Sequence, residues 1–342
     1  MALSRAPAVL LHRQSSSAVV SAAAVKELRD KSGAPMMDCK KALAASEGDV
    51  HKAMDWLRAK GIARASSGAD RVALEGLIAL HIGGGRATLV EINSETDFVS
   101  RNKDFQQFCA LVASTAARSG VTDVQQLLAQ KCGAGEAKTV KDALGDVINL
   151  IRENIVIKRA AVFSAGSGGG GSIIAGYVHG KAAGTDQTDA AGALQLGKTA
   201  AIVTLHPTAG AAAGAAAGAA AGAGSSAEAL ETAGRRLAMH VVAAKPQFLS
   251  EASVPADVMA KESEICRQQL DGANQLAGKK PDVVEKIVRG KVVKRLGELC
   301  LLSQAHVAEE GAPVVAKFLA TLPGVPGGAT CSAFERWAVG AQ

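Results

Sequence analysis

The sequence has little of several things that would point to a particular chemistry or compartment. Aromatic residues make up only 3% of its 342 residues, so an aromatic side chain in a polar loop is a candidate contact residue. No apolar run approaches the roughly 20 residues that a membrane-spanning helix needs, and no membrane contact is expected. The cysteines are scattered without a close pair. This spacing argues against a zinc site and predicts buried, reduced thiols.

The charge balance argues against a nucleic-acid-binding surface. The chain carries 38 basic and 32 acidic residues, for a formal net charge of +6, and two of the basic residues lie in a predicted leader. The remaining positive charge is weak and dispersed. A nucleic-acid footprint is normally a concentrated basic patch, so we expect no direct contact with nucleic acid.

Residues 1–21 have the composition of an organelle transit peptide. They contain Arg5, Arg13 and a run of three serines, and no acidic residue precedes Glu27. The apolar stretch is too interrupted for a secretory signal. A disordered tail is the alternative interpretation. Because the leader is short and contains arginine, we expect the mitochondrion as the destination, with the chloroplast as the second choice.

Residues 22–65 predict a bundle of three short helices. Pro35 suits the first turn of the second helix, where its missing N–H is not needed. Asp49 is placed to cap the third helix, and Gly61 suits its end. The periodic apolar positions of these segments fit one shared core.

The rest of the chain predicts an α+β core in two parts, residues 69–165 and 172–340, because strands and helices are mixed without strict alternation. Residues 256–301 predict two helices with apolar residues along one side, and we expect them to form an antiparallel helical hairpin. Residues 181–197 and 209–224 are rich in alanine and glycine. We predict that both are low-complexity inserts. Recurring glycine costs a helix about 1 kcal/mol per residue, so we predict a mobile loop for residues 209–224, which are almost pure alanine and glycine.

Residues 192–199, GALQLGKT, match the phosphate-loop pattern. A true phosphate loop follows a buried strand and opens a helix, whereas here β-favouring residues follow Lys198. We interpret the match as chance in a biased segment. A nucleotide hydrolase with Lys198 on the phosphates is one alternative function, and an adaptor or RNA-binding protein built on the N-terminal bundle is another. No constellation of catalytic or metal-ligating residues stands out, so we expect no covalent chemistry and no cofactor.

Two long motifs carry a family resemblance: residues 25–43, VKELRDKSGAPMMDCKKAL, and residues 91–99, EINSETDFV. Shorter matches lie at residues 177–180, 239–248 and 293–295. In this order they resemble the elongation factor Ts family over residues 22–340, interrupted by the two inserts. The resemblance implies a ubiquitin-associated-like N-terminal bundle and a core of two related α+β halves. It also implies the promotion of GDP release from elongation factor Tu without covalent chemistry.

The resemblance further implies contact with the nucleotide domain of Tu and with a second, outer domain. Asp97 and Phe98 would form a wedge directed toward the magnesium side of the nucleotide site, and Val307 would touch the outer domain. The residues implied in Tu binding are Met36, Met37, Lys40, Asp97, Phe98, Ile151, His179 and Val307. A homodimer through the helical hairpin is left open.

The residues alone leave alternatives for three of these positions. Phe98 follows four polar residues, and its ring could fold back onto the helix that carries Phe105. Lys40 could be a solvated surface lysine, and His179 a structural histidine at a strand end.

Overall fold

The computed structural model describes residues 20–32, 34–67, 71–133, 137–166, 171–181, 194–208, 223–273 and 275–341. The helices are α1 (Ala22–Ser32), α2 (Met36–Ala45), α3 (Val50–Ser67), α4 (Lys103–Ser119), α5 (Val124–Ala129), α6 (Val140–Ile151), α7 (Ala223–Ala244), α8 (Ala256–Gly272), α9 (Pro281–Leu299) and α10 (Val315–Ala320). The strands are β1 (Glu75–Gly83), β2 (Arg86–Ser94), β3 (Val156–Ser164), β4 (Ile173–His179), β5 (Leu194–Gly197), β6 (Thr199–Pro207) and β7 (Ala329–Ala338). The predicted α+β class is confirmed.

The chain forms two compact units. The first comprises Met1–Asp70 and Asp142–Glu153, and the second comprises Arg71–Lys141 and Asn154–Gln342. Most of the predicted leader lies outside the described residues.

The first unit contains the predicted N-terminal helices. Helices α1, α2 and α3 share a core that includes Leu28, Leu43 and Leu57. The Asp49 side chain caps α3 as predicted, accepting the N–H groups of residues 51 and 52 at 2.9 and 3.1 Å. Two details were wrong. Helix α3 continues past Gly61 to Ser67, because an interior glycine weakens a helix by only about 1 kcal/mol. Pro35 lies just before α2 and not in its first turn.

Polar contacts join α6 to this bundle. The buried carboxylate of Asp38 forms ion pairs with Lys60 at 3.2 Å and with Arg152, just after α6, at 3.0 Å. The side-chain amide of Asn149 donates to the carbonyl oxygen of Leu57 at 3.0 Å. The first unit therefore includes a helix that the sequence assigned to the first half of the core.

The second unit is built on two antiparallel sheets. One has the strand order β3-β2-β1-β5 and the other β4-β6-β7. Side chains from both sheets share a core that includes Ile78, Leu89, Ile202 and Trp337. Helix α4 packs on the first sheet, and α7 packs on the second. The predicted stripe of α4 is buried: Phe105, Phe108, Cys109 and Val112.

Strand β5 corrects the predicted limit of the first insert. We expected residues 181–197 to be an insert that interrupts the core elements, yet residues 194–197 pair with β1. The two leucines of this segment, Leu194 and Leu196, are buried, which explains why it joins the sheet. Residues 182–193 and 209–222 lie outside the described residues. The last two residues of the second predicted insert, Ala223 and Gly224, begin α7.

The two helices predicted over residues 256–301 are present as α8 and α9. They pack through Cys266, Leu270, Val288, Val292 and Leu296. Among the described helices, none is long and apolar enough to cross a membrane. All six cysteines are buried, as predicted. Within the same described ranges, no group of three or more His, Cys, Asp or Glu side chains is arranged to hold a metal ion.

Candidate partner-binding site

The loop between β2 and α4, residues 94–101, is called here the Phe98 loop. It contains a short 3₁₀ helix, Asp97–Arg101. Phe98 is 74% exposed, while the neighbouring Val99 and Phe105 are buried. The ring therefore does not fold back onto the helix that carries Phe105. The Asn102 side chain caps α4 by accepting the N–H groups of residues 104 and 105, which fixes where the loop ends.

Short hydrogen bonds fix the shape of the Phe98 loop. The Ser100 hydroxyl donates to the carbonyl oxygen of Asp97 at 2.6 Å, and the Ser94 hydroxyl donates to that of Thr96 at 3.0 Å. The Gln106 side chain donates to the carbonyl oxygen of Ser100 at 3.0 Å. These hydrogen bonds hold the backbone of the loop in one shape. Asp97 and Phe98 are exposed at its tip.

A buried carboxylate lies in the strand that leads into this loop. Glu91 of β2 is fully buried and accepts from Arg159 Nε at 2.7 Å, from Asn93 Nδ2 at 3.3 Å and from the N–H of Gly340 at 3.0 Å. The guanidinium of Arg159 also stacks 4.1 Å over the ring of Trp337. The network satisfies the buried charge and joins β2, β3 and the end of β7. Sequence reasoning missed it, although an acidic residue inside an apolar strand was a visible signal.

His179 lies at the same edge of the second unit as the Phe98 loop. Its carbonyl oxygen accepts the N–H of Lys198 at 3.0 Å, and the Lys198 ammonium pairs with Glu75 at 2.8 Å. Glu75 faces Ser94, the first residue of the loop, in the β1–β2 register. The imidazole of His179 is exposed, with its centroid 6.4 Å from that of Tyr177.

These contacts also settle the geometry around Lys198. Strand β5 ends at Gly197, and β6 begins at Thr199. No helix opens after the lysine, so the described part of the phosphate-loop match, residues 194–199, has strand geometry.

Val307 lies on a second loop, residues 304–314, called here the Val307 loop. It is 60% exposed. Its N–H donates to Nδ1 of the buried His240 at 3.2 Å, and Nε2 of the same imidazole lies 2.9 Å from Oε1 of Gln304. We assign the ring proton to Nε2, because Nδ1 accepts a hydrogen bond. The backbone of the exposed valine is thus held in place by a hydrogen bond to a buried histidine of α7.

A second buried histidine supports the same loop. The His306 ring centroid lies 5.1 Å from that of His240 and 5.0 Å, edge on, from that of Phe318. Burial lowers the pKa of His240 and, with a smaller contribution from His240, lowers the pKa of His306 to about 4. Both rings are therefore neutral at pH 7. An Arg236–Glu309 ion pair at 2.8 Å lies beside them. The sequence analysis assigned a role to neither histidine.

The remaining implied contact residues belong to the first unit. Met36, Met37 and Lys40 are exposed on α2, and their spacing places the lysine beside both methionines. Ile151 is half-buried at the end of α6. The structure thus groups three residues on α2, and it places the Phe98 loop and His179 at one edge of the second unit.

Comparison with known proteins identifies the family. A sequence model of the elongation factor Ts family matches residues 95–341. Elongation factor Ts of Sphingopyxis alaskensis is 39% identical over 323 residues, which cover 94% of this chain and 93% of that protein. Elongation factor Ts of Paramagnetospirillum magneticum is 38% identical over 293 residues, covering 86% of this chain and 82% of that protein. The chain belongs to the elongation factor Ts family.

Proposed function

We propose that this chain is a translation elongation factor that promotes GDP release from elongation factor Tu. The observation that carries the proposal is family membership, with 39% identity over 94% of the chain to a named elongation factor Ts. The protein acts by binding and makes or breaks no covalent bond. Its effect is a coupling free energy: binding to Tu weakens GDP binding by the same factor by which GDP weakens binding to this protein.

The Phe98 loop is the proposed wedge. An aromatic ring contributes a large contact area for few lost rotamers, so it suits the centre of an interface. Phe98 is exposed at the tip of a loop whose shape is fixed by hydrogen bonds. Asp97 shares this tip. The pair would enter Tu near the magnesium side of the nucleotide site and rearrange its phosphate-binding loop.

Further contacts with Tu are proposed in both units. Met36, Met37 and Lys40 would belong to the N-terminal contact with Tu. Ile151 and His179 would flank the core contact. The position of His179 at the edge that carries the Phe98 loop supports this assignment. Val307 would contact the outer domain, and its exposure on a supported loop favours that role. No direct contact with nucleic acid or membrane is proposed.

The proposed location is the mitochondrial matrix, with the chloroplast as the second candidate. The basic, serine-rich and acid-free composition of residues 1–21 supports an organelle. Fusing these residues to a reporter and following its location in cells would test this. A homodimer through α8 and α9 is a further hypothesis, supported by the exposed Val283 and Val293 of α9. Sedimentation of the full chain would test it.

The decisive experiment measures release of fluorescent GDP from Tu of the same organelle, with and without this protein. We expect release to accelerate and to saturate as the concentration of this protein rises. The protein alone should neither hydrolyse nucleotide nor retain RNA. Unchanged GDP release in the presence of folded protein would contradict the proposal.

A further inference from the structure

Glu95, next to the proposed wedge, makes polar contacts that the proposed function does not explain. Glu95 is the second residue of the Phe98 loop, and its side chain is 22% exposed. It turns away from the tip toward two segments that are distant in sequence. Its carboxylate accepts the backbone N–H of Asn154 and pairs with Arg71 Nη1 at 3.0 Å.

The two partners of Glu95 are also bonded to each other. The Asn154 side-chain amide donates to the carbonyl oxygen of Arg71 at 2.6 Å. Asn154 is only 3% exposed, whereas the Arg71 side chain is 54% exposed. Glu95, Asn154 and Arg71 thus form a closed set of contacts, called here the Glu95 clamp, that joins the Phe98 loop to the segments before β1 and before β3.

The clamp supplies what the internal bonds of the loop cannot. The serine hydroxyls fix the shape of the tip, but they bond only to atoms of the loop itself. The direction of the tip relative to the sheet needs contacts outside the loop. Gln106 of α4 supplies one of them to the carbonyl oxygen of Ser100, and Glu95 supplies those to Asn154 and Arg71. A hydrogen bond from a backbone N–H to a carboxylate is among the stronger neutral-to-charged contacts in proteins. Its loss would leave a poorly exposed N–H without an acceptor.

We propose that Glu95 is a positioning residue for nucleotide exchange, which holds the Asp97–Phe98 tip in the direction that the wedge requires. This inference rests on the proposed function. Glu95 acts through the loop, and Asn154 and Arg71 support it. Its essential feature is the acceptor oxygen aimed at Asn154, because the arginine of the ion pair is half solvated and contributes little.

If Glu95 has this role, its loss should change the limiting rate of stimulated GDP release more than it changes the affinity for Tu. A misdirected tip can still bind Tu through the other contacts, but it loses the interaction made while the nucleotide site is distorted. An interaction made only in that state changes the limiting rate and leaves half-saturation nearly unchanged. We therefore expect Glu95→Ala to lower the limiting rate of stimulated GDP release roughly tenfold or more. The concentration that gives half-saturation should stay within about twofold.

Conservative variants separate the acceptor from the charge. Glu95→Gln keeps an oxygen that can accept from Asn154, and Arg71→Ala keeps the same acceptor while removing the ion pair. Both should retain the limiting rate within about twofold. Equal losses in Glu95→Gln and Glu95→Ala would overturn the proposal, because charge and not the acceptor would then matter. An unchanged limiting rate in Glu95→Ala would overturn it as well.

A double-mutant cycle tests whether the clamp acts as one unit. Asn154→Ala keeps the backbone N–H that bonds to Glu95 and removes the side-chain bond to Arg71. Asn154 is too buried to touch a partner, so any effect of this variant on the limiting rate must act through the structure of this chain. We expect the double variant Glu95→Ala/Asn154→Ala to be no slower than Glu95→Ala alone, since coupled residues are not additive. Additive losses would indicate that Glu95 contacts Tu directly.

Amide hydrogen exchange gives a readout that does not depend on Tu. The N–H of Asn154 should exchange faster in Glu95→Ala and remain protected in Glu95→Gln. If wild-type protein failed to stimulate GDP release, the proposed function would fail while this measurement still reported on the clamp. Unchanged protection in Glu95→Ala would show that Glu95 does not hold the loop.

Discussion

The Phe98 loop and the Val307 loop present an apolar side chain in the same way but are supported by different chemistry. Phe98 stands on serine hydroxyls and the carboxylate of Glu95. Val307 stands on two buried, neutral histidines. The difference teaches that an exposed apolar side chain can be supported by charged or by uncharged groups, and that the choice decides which conditions disturb it.

Acid is the condition that should separate the two loops most strongly. The pKa of His306 is about 4 in the folded protein, below the ordinary value of 6.5, so the unfolded chain binds more protons between these values. We therefore expect the contribution of His306 to the free energy of unfolding to be fully present above pH 6.5 and to fall by about 1.4 kcal/mol per pH unit as the pH drops toward 4. The groups facing His306 are His240, whose pKa is also lowered, and the Arg236–Glu309 pair.

We expect His306→Gln to reduce this acid sensitivity by about 2–3 kcal/mol over the same window, measured as the change in unfolding free energy between pH 7 and pH 4. A residual slope from His240 should remain. Equal slopes for the wild type and His306→Gln would show that His306 is not the sensitive group.

Phe98→Ala should give the next largest effect, which should fall on stimulated GDP release and not on stability. Removing the proposed interface anchor should reduce the coupling between this protein and GDP by about 2 kcal/mol, or roughly 30-fold. The melting temperature should hardly change, because the ring is 74% exposed in the free protein. Stimulated GDP release and thermal melting of the same sample would check both statements.

The control for this variant is the neighbouring core ring. Phe105→Ala should lose about 3–5 kcal/mol of stability, because it leaves a cavity, yet retain release per folded molecule. Asp97→Ala should follow Phe98→Ala more mildly, since an exposed carboxylate is partly screened. Destabilisation of Phe98→Ala with normal release would contradict the wedge assignment.

Val307→Ser should weaken Tu binding by about 1 kcal/mol, because an exposed valine buries less surface than a core valine when its partner arrives. The melting temperature should stay constant, since the backbone N–H that bonds to His240 is retained. Calorimetric titration with Tu would measure the affinity. Val293→Ser removes a similarly exposed valine from α9, and an equal loss there would show that the Val307 effect is not specific to its loop.

The sequence predicted those parts of the fold that depend on local pattern. The stripe of α4, the helices of the N-terminal bundle and most strands are regular enough to reveal their type. Strand β5 was missed because four residues inside a glycine- and alanine-rich segment carry only two leucines, and their burial depends on pairing with β1.

The candidate site could be predicted only through the family motifs. An apolar residue in a polar loop fits both a buried and an exposed ring, so the pattern could not decide the position of Phe98. The Glu95 clamp joins Arg71, Glu95 and Asn154, which are brought together by the sheet and not by any local spacing. A buried histidine in an apolar helix, such as His240, was a detectable signal.

The smallest expected effect tests whether the edge that carries the Phe98 loop matters apart from the loop itself. Lys198 lies at this edge, but its ion pair with Glu75 joins two partly exposed side chains and should contribute less than about 1 kcal/mol to stability. The backbone of Lys198 makes the structural contacts. Its N–H donates to the carbonyl oxygen of His179, and its carbonyl oxygen accepts the N–H of Val339 at 3.0 Å. Lys198→Ala keeps both, so it should leave stimulated GDP release unchanged. Glu75→Gln, which weakens the same pair from the other side, should be equally silent.

Calorimetry should also detect no nucleotide binding by the protein alone, and stoichiometric binding that is lost in Lys198→Ala would restore the phosphate-loop interpretation. A silent lysine beside a sensitive Phe98 would place the exchange function in the loop tip and not in the strand edge beneath it.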